Sequence, residues 1–455
     1  MDNKMPFWQY YYDKMGSWLD FAREIETEYR QCLFEGRDVV KYKPLVDLIN
    51  TMPSAEEKDI MADAMYKTLQ MTPLRSDFTY VEPSDLCGIK DARPEWRKQK
   101  VSLTEEEIDG LIPKIKGAWY GRVCGCLLGK PVEGWRTGNI QKYAEAQDNW
   151  PLTRYLKKDE EKCRELGQWS GGTFIDTING IAPSDDDTNY TVTAMKLIER
   201  YGKGFRPDDI AFEWLTNATI WAYCTAERVA YRNLIAGLKP PESAVYHNPY
   251  REYIGAQIRG DYFGYIAPGD PELAAEMAWR DASISHIKNG IYGEMFVAAA
   301  LAWAAVCEDP VEVIRAGLGE VPQNSRFFHE VNDILELYLA GKPAEEASKM
   351  IASRYDEKIG FDWCYTVSNA MIVAAAVLWG KDYTDAVCWS VIQGFDTDCN
   401  GATAGSIYGM MYGAGSIPDE WTAPTGGKLR TDIKGYYEVS IDEMAENTIR
   451  HIKTK

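Results

Sequence analysis

Glycine recurs every four residues in two stretches of this chain. In GAWYGRVCGCLLG these are Gly117, Gly121, Gly125 and Gly129; in GATAGSIYGMMYG they are Gly401, Gly405, Gly409 and Gly413. Residues four apart on a helix lie one above another, so each stretch presents a slowly drifting stripe without side chains. Glycine costs about 1 kcal/mol per helical position relative to alanine. Eight such positions need a packing reason. The stripes predict two central helices in close backbone contact. Similar stripes pair helices in membranes, but Arg122, Lys130 and the short apolar runs around them argue against a bilayer.

The rest of the chain reads as helical too. Ser54-Ala55-Glu56-Glu57 and Thr104-Glu105-Glu106-Glu107 have the form of capping boxes before apolar-periodic runs. Pro310 and Pro343 read as first-turn prolines. Tyr190, Ala194, Leu197, Ile198 and Tyr201 follow helical spacing, and no sustained alternation signals a sheet. The longest apolar run, Met295–Cys307, is too short to span a bilayer and reads as a buried helix. An all-α fold is expected. Residues 1–100, rich in charge and aromatics, form a helical N-terminal extension of unknown role, ending in a linker near Val81–Lys100. Residues 101–455 read as one multi-helix main domain. Residues 135–182 lack periodicity and include the glycine-rich SGGTFIDTINGIAP, which suits a lid or substrate loop.

Composition excludes some functions. The 455 residues carry a net charge of −19, so wrapping nucleic acid or an anionic membrane face is not expected. The start, MDNKMPFWQYYYDKMG, has no apolar signal core. The ten cysteines show no ladder of spacings and read as reduced thiols. A cytoplasmic location is the expectation; oligomeric state is not readable. Trp (15) and Tyr (28) together outnumber Phe (13), which suits either a ligand surface for sugars or bases or a large core with rim tyrosines.

Two acidic clusters each precede a helix. One is Asp185-Asp186-Asp187 in PSDDDTNYT; the other is Asp396 and Asp398 in GFDTDCN. Either alone reads as an N-cap. Three consecutive aspartates exceed what a cap needs. If the clusters meet, five carboxylates need a hard cation such as Mg²⁺ or Mn²⁺ among them.

Three stretches carry a family resemblance. They are GAWYGRVCGCLLGKPVE (Gly117–Glu133), DDDTNYT (Asp185–Thr191) and GFDTDCNGATAGSIYGMMYGA (Gly394–Ala414). In order and motif they resemble the ADP-ribosylglycohydrolase family, which includes dinitrogenase reductase-activating glycohydrolase and the vertebrate ADP-ribosyl-acceptor hydrolases. A weaker match surrounds His286. The resemblance covers roughly residues 105–415 and leaves residues 1–100 without a counterpart.

The resemblance implies a compact all-α fold around one or two Mg²⁺ or Mn²⁺ ions. It makes Asp185, Asp186 and Asp187 ligands from one side and Asp396, Asp398 and the position of Cys399 ligands from the other. Glu133, Asp187 and Asp398 become the catalytic residues, with Glu133 at the substrate cleft as base or orienter. The implied reaction is hydrolysis at the anomeric carbon of an ADP-ribosyl or related ribosyl group, on a small-molecule, ADP-ribosylated or glycosylated substrate. Alternatives are a glycoside or nucleoside hydrolase on the same metal scaffold, or a non-catalytic metal- or nucleotide-binding member. Three positions depart from the family pattern. Asp185 stands where Thr or Ser is usual, Cys126 replaces an Asp, and Cys399 replaces Thr or Ser with a soft thiol that suits Mg²⁺ poorly. His286 reads equally as a structural or a site residue. Asn369 and Asn400 read as supports for the ligands, Asp261 and Asp270 as turn residues, and Trp150 and Trp169 as stacking or core residues.

Overall fold

The computed structural model describes residues 17–169 and 171–454; Ser170 and the N-terminal stretch 1–16, part of the expected extension, lie outside them. The two glycine-striped segments are the helices Ile112–Gly129 and Thr397–Tyr412. They run antiparallel in backbone contact. A side chain at Gly121 or Gly125 would overlap the facing carbonyl of Gly405 or Gly401, and one at Gly129 would meet Thr397. The Thr397 hydroxyl donates to the Gly129 carbonyl at 2.9 Å. This register has a functional consequence: the C-terminal end of the first helix meets the N-terminal end of the second, bringing Lys130–Glu133 beside Asp396–Asp398.

Around this pair lie helices that are apolar on every face, Asn289–Ala304 and Thr366–Trp379. Such helices belong in the centre of a large core. The first contains most of the apolar run expected to be buried. Among the described residues no helix is long and apolar enough to cross a membrane. The one hairpin pairs Lys428–Arg430 with Glu438–Ser440, so the fold is all-α with a small β ornament. All ten cysteines are free thiols, most of them buried.

Local rules hold with small shifts. Thr104 and Glu107 cap each other reciprocally. The box expected at Ser54 does not form; that helix starts at Glu56 with Ala55 at the N-cap. Pro310 opens its helix, whereas Pro343 stands one residue before the Ala344–Arg354 helix. The segment 135–182 is not a bare loop. It contains the helices Thr137–Glu145 and Glu160–Glu165, and Tyr143, Leu156 and Phe174 pack in a core of their own with Leu127 and Val132.

The N-terminal region has a small core of its own, built from Ile25, Val46, Ala62 and Leu69 among others. The Val81–Lys100 stretch, expected as a linker, lies fastened along the main body. Glu82 pairs with Arg326 at 2.7 Å and Lys90 with Glu276 at 2.9 Å; Arg93 pairs with Glu320 and Lys98 with Glu312. Ile89 is fully buried in the main core. Its charges read as linker-like in sequence because their partners are two hundred or so residues away.

Candidate active site

Three segments converge. The first is the row Arg122, Cys126 and Lys130, spaced four apart on the first striped helix and one residue beyond its glycines. The second is the start of the Asp186–Tyr201 helix, where Asp185 is the N-cap and accepts the Asp187 amide at 3.0 Å. The third is the start of the Thr397–Tyr412 helix, reached through Gly394 and Phe395, both with positive φ (70° and 56°). A bulky residue at positive φ is strained, and here the strained turn delivers Asp396. Both helix N-termini direct their positive dipole ends into a carboxylate-rich volume.

The two acidic stretches meet. Three overlapping groups each offer one ligand atom per residue, all within 4.8 Å: Glu133, Asp396 and Asp398; Asp187, Asp398 and Cys399; and Cys126, Asp185 and Asp187. Asp186 stands outside these groups, half-buried beside the Cys224 thiol. Glu133 is on the solvent side, while Asp187 and Asp398 are buried.

Repulsion dominates the electrostatics. Asp398 first, then burial, pushes the Glu133 carboxyl well above its ordinary range. Burial, then Asp185 and Asp398, pushes Asp186 up to about 8. Burial, then neighbouring carboxylates, raises Asp187 and Asp396 as well. Asp185 goes the other way. Burial acts upward on it, but the Lys130 ammonium bonded to its carboxylate outweighs that and holds it low. Burial and the surrounding acids push the Cys126 and Cys399 thiols well up, so both are neutral thiols.

Arg122 is the second internal cation, and it is fully buried. Its guanidinium donates twice to the Asp187 carbonyl, at 2.9 and 2.6 Å, and once to the Ile258 carbonyl. It also forms an ion pair with Asp261 at 2.8 Å. Asp261, expected as a turn residue, is therefore the buried counter-ion of Arg122. Asp270 keeps its expected place as an N-cap, accepting the Leu273 amide at 3.2 Å.

Asn369 positions the third segment. Its side-chain oxygen accepts from the Asp396 amide at 3.2 Å and from Asn400 at 2.8 Å. Its side-chain nitrogen is anchored on the Trp363 and Tyr365 carbonyls. His286 is elsewhere: it is buried against Ser285 (2.8 Å), which in turn bonds Arg259, and burial holds its imidazole neutral. Trp169 is 77% exposed, and Trp150 packs beside the Leu127 core.

The donor set fits a hard divalent cation. Glu133, Asp396 and Asp398 offer oxygens only. The Asp187 Oδ2 atom is buried without a hydrogen-bond partner, and an orphaned buried carboxylate oxygen is costly unless something positive meets it. A profile for ADP-ribosylglycohydrolases matches residues 108–451, most of the chain.

The chain belongs to the ADP-ribosylglycohydrolase family.

That membership makes it a glycohydrolase-type enzyme in general terms. A solved structure described as an ADP-ribosylglycohydrolase-related protein complex aligns with 76% of this chain and 99% of its own, at 19% identity and a TM-score of 0.44. No curated protein matches. Within this ADP-ribosylglycohydrolase domain, sequence reasoning missed the roles of Arg122 and Lys130, together with Cys224, and noted Cys126 only as a departure from the family pattern. A signal existed for Arg122 and Lys130: with Cys126 they are spaced four apart, in line with one face of the helix that ends at Gly129, just before Glu133.

Proposed function

We propose that this protein is a metal-dependent hydrolase that cleaves the bond at the anomeric carbon of an ADP-ribosyl or related ribosyl group. The observation that carries the reading is the convergence of Asp187, Asp396, Asp398 and Glu133 around an unpartnered buried oxygen, in a chain of this family. Glu133, Asp396 and Asp398 would hold Mg²⁺ or Mn²⁺, with Asp187 facing the same volume. A divalent cation there supplies charge that fixes ribose hydroxyls and acidifies water. One such ion suits the charges better than two, because Lys130 already neutralises Asp185 and the two thiols are not hard ligands.

The protein groups divide the remaining work. Cleavage at the anomeric carbon develops positive charge on the sugar ring. The fixed carboxylates of Asp187 and Asp398 meet that charge without reorganising. Glu133 is the solvent-side member of the set and the one placed to take a proton from the attacking water once a cation offsets its acidic neighbours. Arg122 and Asn369 touch neither water nor sugar; they hold the Asp187 and Asp396 backbones in place.

The test is a thermal-shift and hydrolysis panel with Mg²⁺, Mn²⁺, ADP-ribose and simple glycosides. The expected result is stabilisation by ADP-ribose only with metal present, and release of ADP-ribose from a modified substrate. Absence of any metal response in the native chain, with Asp398→Ala indistinguishable from it, would sink the reading.

A further inference from the structure

The turn that delivers Asp396 is strained, with Phe395 at a φ of 56°, and a strained turn keeps its shape only where its surroundings hold it. Two side chains hold this one. The Asn369 oxygen accepts from the Asp396 amide, and the Cys364 thiol donates to the Asp396 carboxylate at 3.7 Å. Both depend on one short segment. Cys364 ends the helix Gly360–Cys364. The Trp363 and Tyr365 carbonyls accept from the Asn369 nitrogen at 3.0 and 2.9 Å. The support of Asp396 is therefore set by where residues 360–365 lie.

The main body and the N-terminal region both fix that segment. From the main body, the Ile254 amide donates to the Cys364 carbonyl at 2.9 Å, and the Tyr253 ring lies 5.4 Å from that of Phe361. From the N-terminal region, Phe34 ends the helix Ile25–Phe34 and sets its ring 4.8 Å from Phe361 and 5.2 Å from Tyr365. Phe34 thus packs on the main core and not in the small core of its own region. It is pinned there, because the next residue, Glu35, pairs with Arg251 and Lys288. Glu82 adds a second hold. It takes both edges of the Arg326 guanidinium, at 2.8 and 2.7 Å, and Arg326 donates to the Tyr365 hydroxyl at 3.0 Å. Phe34 and Glu82 both lie outside residues 108–451, the part that matches the family.

We propose that the N-terminal region is a positioning element of the metal site, acting through Phe34 on the segment that holds Asp396. The proposal rests on the reading of Asp396 as a metal ligand. Ring-to-ring packing is directional, so an aromatic side chain at position 34 fixes Phe361 and Tyr365 in a way that an aliphatic one does not. Without that ring the segment relaxes, and the strained turn loses part of what holds it. Metal affinity reports this, because Asp396 has to reach one point together with Glu133 and Asp398.

Titration of the full chain with Mn²⁺ alone tests the proposal. Phe34→Ala is expected to weaken Mn²⁺ binding about three- to tenfold, less than the roughly 10–100-fold typical of groups that touch the ligands directly. Phe34→Leu should fall between Phe34→Ala and the native chain, and it carries the test if Phe34→Ala does not fold. Phe34→Tyr, which keeps the ring, should bind Mn²⁺ as the native chain does. Val46→Ala truncates a fully buried residue of the small N-terminal core. It should lower the melting temperature and leave Mn²⁺ affinity unchanged. Native affinity in the Phe34→Ala and Phe34→Leu variants overturns the inference. An equal loss in Val46→Ala also overturns it, because Phe34 would then act through stability alone. Mn²⁺ binding by the native chain separates the two levels. Mn²⁺ bound equally by native chain and Phe34 variants brings down this inference alone. No Mn²⁺ bound by the native chain brings down the metal-site reading, and this inference with it.

Discussion

Two groups of buried carboxylates in this molecule have opposite characters. At the junction of the N-terminal region with the main body, Glu28 and Glu35 face Arg251 and Lys288. Arg251 meets both glutamates at 2.6 Å, and Lys288 meets Glu35 at 2.9 Å. Gln70 and Gln31 take up further oxygens at 3.0 and 3.1 Å. Arg37 adds a further cation 3.7 Å from Glu35, so no carboxylate here lacks a cation, and each carboxylate oxygen has a donor. At the striped-helix junction, five aspartates and Glu133 face only Lys130 and Arg122, and Asp187 keeps an orphan oxygen. The first group behaves as a clasp: Arg251 and Lys288 outweigh burial and hold the Glu35 carboxyl low, while burial keeps Glu28 raised despite its pair with Arg251. In the second, repulsion adds to burial and raises Asp186, Asp187, Asp396 and Glu133. A matched buried charge set is architecture. An unmatched one is a cost to the fold that taking up protons or a cation relieves.

The sharpest way to break this comparison is to remove one partner from each group. Arg251→Ala leaves buried Glu28 without its ion pair and Glu35 with Lys288 alone at hydrogen-bond distance, and is expected to cost roughly 3–5 kcal/mol, read by chemical denaturation. An unchanged midpoint would put the clasp outside the stability of the fold. Asp398→Asn should do the reverse: no loss of stability in metal-free buffer, with a rise the favoured sign. Its hydrolytic activity should fall by more than the roughly 10–100-fold typical of changes outside the metal ligands. A destabilised but active Asp398→Asn variant would show that the cluster is structural after all.

Lys130→Gln sharpens the charge count. Mn²⁺ titration should give one ion per native chain, and a second or tighter ion once the internal ammonium is gone. Two ions on the native chain would refute the count. The smallest effect is on pH. Asp186 titrates near 8 in the folded chain, against about 3.9 when unfolded. Between those values the folded state binds more protons, so metal-free stability should decline as pH rises from about 4 to 8, in the same direction as the raised Glu133, Asp187 and Asp396 carboxyls act. Saturating Mn²⁺ should flatten or invert that slope, because metal binding requires the deprotonated carboxylates. A metal-free slope of the opposite sign would show that Asp186 is ionised throughout.

Much of this was legible without coordinates. Helix formation is local, so the Thr104 box and the periodicity from Tyr190 to Tyr201 appear where expected. The Ser54 box failed for a local reason too: Ala55 took the cap position, and the helix began one residue late. Asp261 was misread because a buried aspartate and a turn aspartate look alike until the partner, Arg122, is brought from another helix. The Val81–Lys100 stretch was misread in the same way.

By itself, then, the amino-acid sequence determined that the chain is helical, that two helices touch along glycine, and that two acidic turns begin helices. It also carried the motifs that place it in its family. Only the tertiary structure decided which charges meet. Lys130 sits on Asp185, Asp187 shares a volume with Asp398, and Glu28 and Glu35 of the N-terminal region meet Arg251. The reason is range: propensity and periodicity act within a few residues, whereas these meetings depend on the register of two glycine-faced helices and on how the N-terminal region docks.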